Sequence, residues 1–301
     1  MFRAISWGLL PLLCSLPTHA QTKASCTFTL FPLTVDLRNI GSVQLSPAGI
    51  NDFGTVVGTA SLLSNGSTFF GFIRWSNGGF TVPLSTNVGS SLVDRNDNGI
   101  SIGFMGPFAK ATGQQILVNG TTVTPIVLNV KNYDFLVSGI NNWGSIVGTY
   151  FVLNLTAYHG FKRWSNGGVI TVDYPGAVAT SLARINGDGT AVGTFYYPGD
   201  QNGNGFIYHK GSFAKLDYPS SLWTALVGIS DAGEIVGNTN VNGSVFSFLY
   251  QKGVFKVISV PNAFATSVLG ISQGLGLIVG NASMPNGTTP PVSKGFIAKC
   301  H

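Results

Sequence analysis

Two segments of this sequence set acid and amide oxygens at alternate positions, the way a calcium-binding loop begins. They are Asp94-x-Asn96-x-Asn98-Gly99 and Asp200-x-Asn202-x-Asn204-Gly205. A hard cation needs several such oxygens, a glycine that lets the chain turn sharply, and a closing glutamate six residues beyond it. Both segments lack that glutamate, with Met105 and Gly211 in its place. Asp200, Asn202 and Asn204 are the better candidate metal set, because the Asp94 segment is also one copy of a repeated turn. Calcium is accordingly the one cofactor worth testing, and no other is expected.

Other chemistry finds few residues to carry it. Beyond His19 the histidines are His159, His209 and His301, and none lies in a spaced pair that would grip a transition metal. No Gly-x-Ser-x-Gly elbow presents a nucleophile. A glycosidase needs two carboxyl groups facing across a cleft, and nothing among the 11 acids nominates such a pair. No catalytic residue is therefore assigned. Trp75 and Trp164 stand at equivalent places in two copies of Arg-Trp-Ser-Asn-Gly-Gly. Exposed indole faces there could stack on sugar rings. The alternative is that both pack between repeats, as large apolar side chains usually do.

The first twenty residues have the parts of a secretory signal: Arg3, an apolar run from Ile5 to Leu16, and Thr18-His19-Ala20 before the cut. The mature chain is then expected to begin near Gln21, as one domain over residues 21–301, secreted to the outside or to a periplasm. No later apolar run is long enough to span a membrane. Loss of Arg3 leaves 15 basic against 11 acidic residues, scattered singly. That pattern argues against a nucleic-acid partner, which would need a concentrated basic face. Charged residues make up only 9% of the chain while glycine occurs 40 times, which suits an extracellular all-β protein with many tight turns.

Those turns belong to a repeat. The phrase Gly-Ile-Asn-x-x-Gly-x-x-Val-Gly stands at Gly49–Gly58 and again at Gly139–Gly148. Weaker copies end at Gly103, Gly193, Gly237 and Gly280, so the closing glycines are 45, 45, 45, 44 and 43 residues apart. A second phrase follows, as in Gly71-Phe72-Ile73, Gly160-Phe161 and Gly205-Phe206-Ile207, and then an apolar run ending in proline, as in Val169–Pro175. Each repeat thus offers four short strands and no helix-period pattern. Six such units predict a six-bladed β-propeller of ~45-residue repeats, with four antiparallel strands per blade. A β-solenoid is the alternative, disfavoured because its coils usually repeat at a shorter period. The Asn-Asp-x-Gly segments read as hairpin turns, which assigns Asp52, Asp97, Asp188 and Asp231 to turn formation.

The two surviving cysteines sit at the ends of the array. Aligned on the repeat, Cys300 falls at the position of Lys210 and Cys26 at that of Gly211, neighbours in an intact hairpin. The expectation is a last blade built from both termini, with a Cys26–Cys300 disulfide in place of the missing turn, as an oxidising compartment permits. Free thiols or a bridge to another chain are the alternatives.

Gly-Ile-Asn-Asp-x-Gly-x-Ile-Val-Gly, followed by Gly-Phe-Ile/Leu-Tyr and Phe-x-x-Ile-Asp-x-Pro, resembles the HAF-type extracellular repeat of bacteria. The resemblance runs over essentially the whole mature chain. It implies a secreted bacterial repeat protein and brings no catalytic residues with it. The expected function is a monomeric, non-catalytic scaffold binding an extracellular polysaccharide or protein through loops at one end of the ring. Two alternatives stand beside it: a carbohydrate- or ester-acting enzyme with its site in the central channel, and a purely structural envelope or matrix protein.

Overall fold

A computed structural model describes residues 22–64, 67–84, 89–106, 113–128, 133–152, 157–287 and 291–301. The expected signal, Met1–Ala20, lies outside the described residues, as does Gln21. The fold is all-β, with six small antiparallel sheets set around an axis as a six-bladed propeller. With strands lettered A to D from the axis outward, blade 3 shows the plan: Tyr133–Ile140, Ile146–Val152, Tyr158–Arg163 and Val169–Val172. The A strands of the other blades are Gly41–Ile50, Ser90–Arg95, Ala179–Ile185, Trp223–Ile229 and Ala265–Ile271. Two blades carry a fifth strand. Thr34–Leu37 pairs with the start of strand A in blade 1, and Thr22–Lys23 runs parallel along the outer edge of blade 5.

The two repeat phrases explain each other across strands B and C. Gly58, Gly148, Gly193, Gly237 and Gly280 pair in register with Phe72, Phe161, Phe206, Phe248 and Phe296. A side chain at Gly148 would strike both the Phe161 ring and the Leu136 carbonyl, so the glycine makes the space its partner fills. All five phenylalanines are fully buried in the clusters between blades. Blade 2 keeps the geometry with Gly103 opposite Ile116.

Five A strands end in a three-residue hairpin and that of blade 6 in a four-residue one, each with a glycine at positive φ, for example Gly54 at 69° and Gly144 at 76°. The asparagine side chain closes its own turn: Asn51, Asn96, Asn141 and Asn186 accept from the backbone N–H four residues on, at 2.9–3.0 Å. Its amide then donates to the next blade, Asn51 to the Asn96 carbonyl, Asn96 to Asn141, Asn141 to Asn186 and Asn186 to Ser230. Three of the four turn aspartates also reach sideways. Asp97 accepts from Asp52 N–H, Asp231 from Gly187 N–H, and Asp52 from Gly274 and Leu275 N–H, which joins blade 6 to blade 1. Only Asp188 serves its own turn, accepting from Thr190 N–H.

Blade 6 is closed as its register requires. Ala265–Ile271, Leu277–Met284 and Val292–Cys300 come from the C-terminal end, and Cys26–Pro32 supplies the outer strand. Cys26 pairs directly with Cys300, and the two form a disulfide.

Candidate functional site

The alternation of turns divides the ring into two ends. A–B and C–D turns lie at one end, B–C and D–A loops at the other. At the loop end a groove of about 790 Å3 crosses blades 3, 4 and 5. Strands A contribute Leu136, Ser181 and Trp223–Ala225, strands B contribute Thr149, Phe151, Thr194 and Tyr196, and Tyr158 comes from strand C of blade 3. Gln201, Asn202 and Gly203 form the outer wall.

The pleat of strand B is what aims these rings. In Gly148-Thr149-Tyr150-Phe151 and Gly193-Thr194-Phe195-Tyr196, alternate residues face opposite sides of the sheet. Tyr150 and Phe195 are buried against a neighbouring blade, while Phe151 and Tyr196 face the groove. Tyr158 and Tyr196 meet edge to face, ring centres 6.2 Å apart. Burial, with the neighbouring Tyr196 hydroxyl, pushes the Tyr158 phenol up to about 12, so it stays protonated. Thr149 Oγ1 and Ser181 Oγ share a hydrogen bond of 2.7 Å across blades 3 and 4.

The Asp200 segment is part of this wall. Asp200 Oδ2 accepts from Tyr197 N–H and from Asn204 Nδ2, both at 3.3 Å, which braces the loop. The Gly203 carbonyl accepts from Thr224 N–H and pins the loop to blade 5. Of the three proposed calcium ligands, Asp200 and Asn204 therefore bond each other, and Asn202 lines the groove. Asp94, first residue of the other calcium-like segment, lies instead at the axis. Among the described residues no three acids, histidines or cysteines converge as a metal set.

Trp75 and Trp164 stand at the opposite, turn end, in the C–D hairpins, a little over one-third exposed. The Arg95 guanidinium lies 5.4 Å from the Trp75 ring centre and the Lys162 ammonium 5.6 Å from that of Trp164. Each indole thus has a cation against its π system, and Trp75 Nε1 donates to Thr81 Oγ1. More exposed apolar residues of that end include Trp143 at 74% and Phe53 at 66%, at the tips of A–B turns.

The central channel is closed midway. Each A strand has a bulge at the same place, and the residue after it is glycine in four blades: Gly49, Gly139, Gly228 and Gly270. The other two are Asp94 and Arg184. Arg184 Nη2 donates to the Ala48 and Val93 carbonyls at 2.8 and 3.1 Å, and Nη1 to Ser138 and Ala183. Its Nε lies 3.7 Å from Asp94 Oδ2, which also accepts from Ile140 N–H at 2.9 Å. Burial pushes the Asp94 carboxyl up, against the pull of Arg184. Toward the turn end Gln273 spans the axis, donating to the Ile140 carbonyl and accepting from Asn142 N–H. An enzyme site on this axis, one of the sequence-based alternatives, meets a filled core at that depth.

No family model matches the chain, and no curated protein matches it. Solved structures with a similar fold include the β-propeller domain of the trilobed protease from Pyrococcus furiosus, described as having an open velcro topology. It is 11% identical, with a TM-score of 0.53 over 93% of this chain and 95% of that one. TolB from Acinetobacter baumannii is 13% identical, with a TM-score of 0.52 over 83% of this chain and 65% of that one. A catalytically inactive virginiamycin B lyase from Staphylococcus aureus, in complex with quinupristin, is 13% identical, with a TM-score of 0.50 over 91% and 99%. At these identities the likeness is one of fold, and function rests on the site.

Proposed function

We propose that this chain is a secreted, non-catalytic propeller that binds an extracellular partner through the groove on blades 3–5. The observation that carries the reading is the groove's composition. It is large enough for a ligand, it is lined by four part-exposed aromatic rings, and among the described residues its lining includes no acid, histidine, lysine or cysteine. Hydroxyls and amides can orient a ligand there, and the Tyr158 phenol stays protonated, whereas general acid–base or nucleophilic chemistry most often calls on a carboxylate, histidine, lysine or cysteine to move the proton. Secretion is supported by the signal-like first twenty residues and by the Cys26–Cys300 bridge, which suits an oxidising compartment.

The test blocks one end of the ring at a time. Gln201→Cys at the groove wall and Ala232→Cys at an exposed turn tip are each coupled to a bulky polyethylene glycol maleimide. Binding of the mature protein to the envelope and matrix fraction of the producing cells is then measured. Blocking Gln201 should abolish saturable binding while blocking Ala232 leaves it unchanged. The reverse result would move the site to the turn end, and no saturable binding by the unlabelled protein would favour a purely structural role.

A further inference from the structure

We infer that the groove takes an internal segment of an uncharged polysaccharide, a conclusion that rests on the groove being the binding site. Three features of the lining point to that ligand. First, Phe151, Tyr158, Tyr196 and Trp223 offer flat apolar surface, and a pyranose ring presents a C–H face that packs against such surface. Second, the same lining holds Thr149, Ser181, Thr194, Gln201 and Asn202, whose groups can both donate and accept. Sugar hydroxyls ask for that mixture, whereas an extended peptide would look for a free sheet edge or a deep side-chain pocket. Third, among the described residues no arginine or lysine lines the groove to hold a uronate or sulfate, and no carboxylate to hold an amino sugar's cation.

The groove's extent favours a chain over a chain end. It spans three blades, from Leu136 in blade 3 to Ala225 in blade 5. Only blades 3 and 4 carry an aromatic doublet after the Gly-Thr of strand B; blade 1 has Ala60-Ser61 there, blade 2 reads Gly103-Phe104-Met105, and blades 5 and 6 have Thr239-Asn240 and Ala282-Ser283 after Gly-Asn. Among the described residues these aromatic doublets are therefore confined to one sector of the ring.

Affinity electrophoresis and calorimetry of the mature protein would use mixed-linkage β-glucan, xylan and galactomannan as neutral probes. Polygalacturonate and chitosan serve as charged probes, and each is run at low and high salt, with calcium and with a chelator. Saturable binding to a neutral probe, unchanged by salt, is expected. Trp223→Ala and Tyr196→Ala should each weaken it about ten-fold or more, as for buried aromatic anchors elsewhere. Tyr196→Phe keeps the ring and should retain most of the affinity, and equal melting temperatures would show that the variants fold. Binding confined to charged probes, or neutral binding that survives both alanine variants, would overturn the inference. So would silence across the panel; if the Gln201 label still blocked envelope binding in that case, the groove would remain the site and the partner would be a protein.

Discussion

Arg184 and Asp94 occupy a place where four blades carry glycine, and the reason is steric. A side chain at Gly49 would lie within 3 Å of Asp94 atoms, and one at Gly139 within 3 Å of the Arg184 backbone. The narrow axis admits a few large side chains and excludes the rest. Arg184 draws together carbonyls from blades 1, 2, 3 and 4, and Asp94 neutralises it. Arg184→Met leaves a buried carboxylate without its cation and should cost roughly 3–5 kcal/mol. A fall in the urea midpoint at unchanged slope would register it, and adding Asp94→Asn should recover part of the loss. Asp94 also sets a pH dependence. Its native pKa is raised above the ordinary 3.8, so its contribution is most favourable below that pH and is lost as pH climbs through the native value. The stability difference between wild type and Asp94→Asn should therefore shrink as pH rises from about 3.8. A difference flat with pH would show an ordinary carboxyl there.

At the scale of the element, one asparagine does two jobs in each of four A–B turns. Asn141 Oδ1 accepts from Ser145 and Trp143 N–H, and its amide donates to the Asn186 carbonyl of the next blade at 2.9 Å. The side chain is buried, so Asn141→Ala strands those partners away from water, at a cost of about 1–3 kcal/mol. Asn142→Ala, one residue on, removes bonds to Asp97 in part-buried surroundings and should cost less. Chemical denaturation of both variants checks the order. Gly148→Ala tests the glycine–phenylalanine pairing of strands B and C. Overpacking there should cost at least about 1–3 kcal/mol, because the Leu136 carbonyl is backbone and cannot swing aside.

Over the whole molecule, closure of the ring depends on blade 6, whose outer strand comes from the other end of the chain. The Cys26–Cys300 bridge holds 274 residues of sequence separation in one hairpin-like corner. Cys26→Ser with Cys300→Ser should lower stability by about 2–5 kcal/mol. Hydrogen exchange should then rise first in Cys26–Pro32 and Val292–Cys300, with blades 2 to 4 still protected. Uniform loss of protection around the ring would mean that the propeller opens as one cooperative unit.

Much of this architecture is legible in the residues alone. The 45-residue period, the four strands per unit, the hairpin glycines and the register of Cys26 with Cys300 are local or strictly periodic, so the order of residues carries them. The candidate site is of another kind. Its walls come from three blades, and no local pattern marks residues as far apart as Leu136 and Ala225 as neighbours. Two traces of it can nevertheless be read once the repeats are aligned. Tyr150-Phe151 and Phe195-Tyr196 break the small polar pattern of strand B, and Asp94 with Arg184 break the glycine pattern at the axis. What those departures mean was decided only by tertiary structure. The strand pleat chooses which ring of each doublet faces the groove, and the closing of the ring brings an arginine from the fourth repeat to carbonyls of the first.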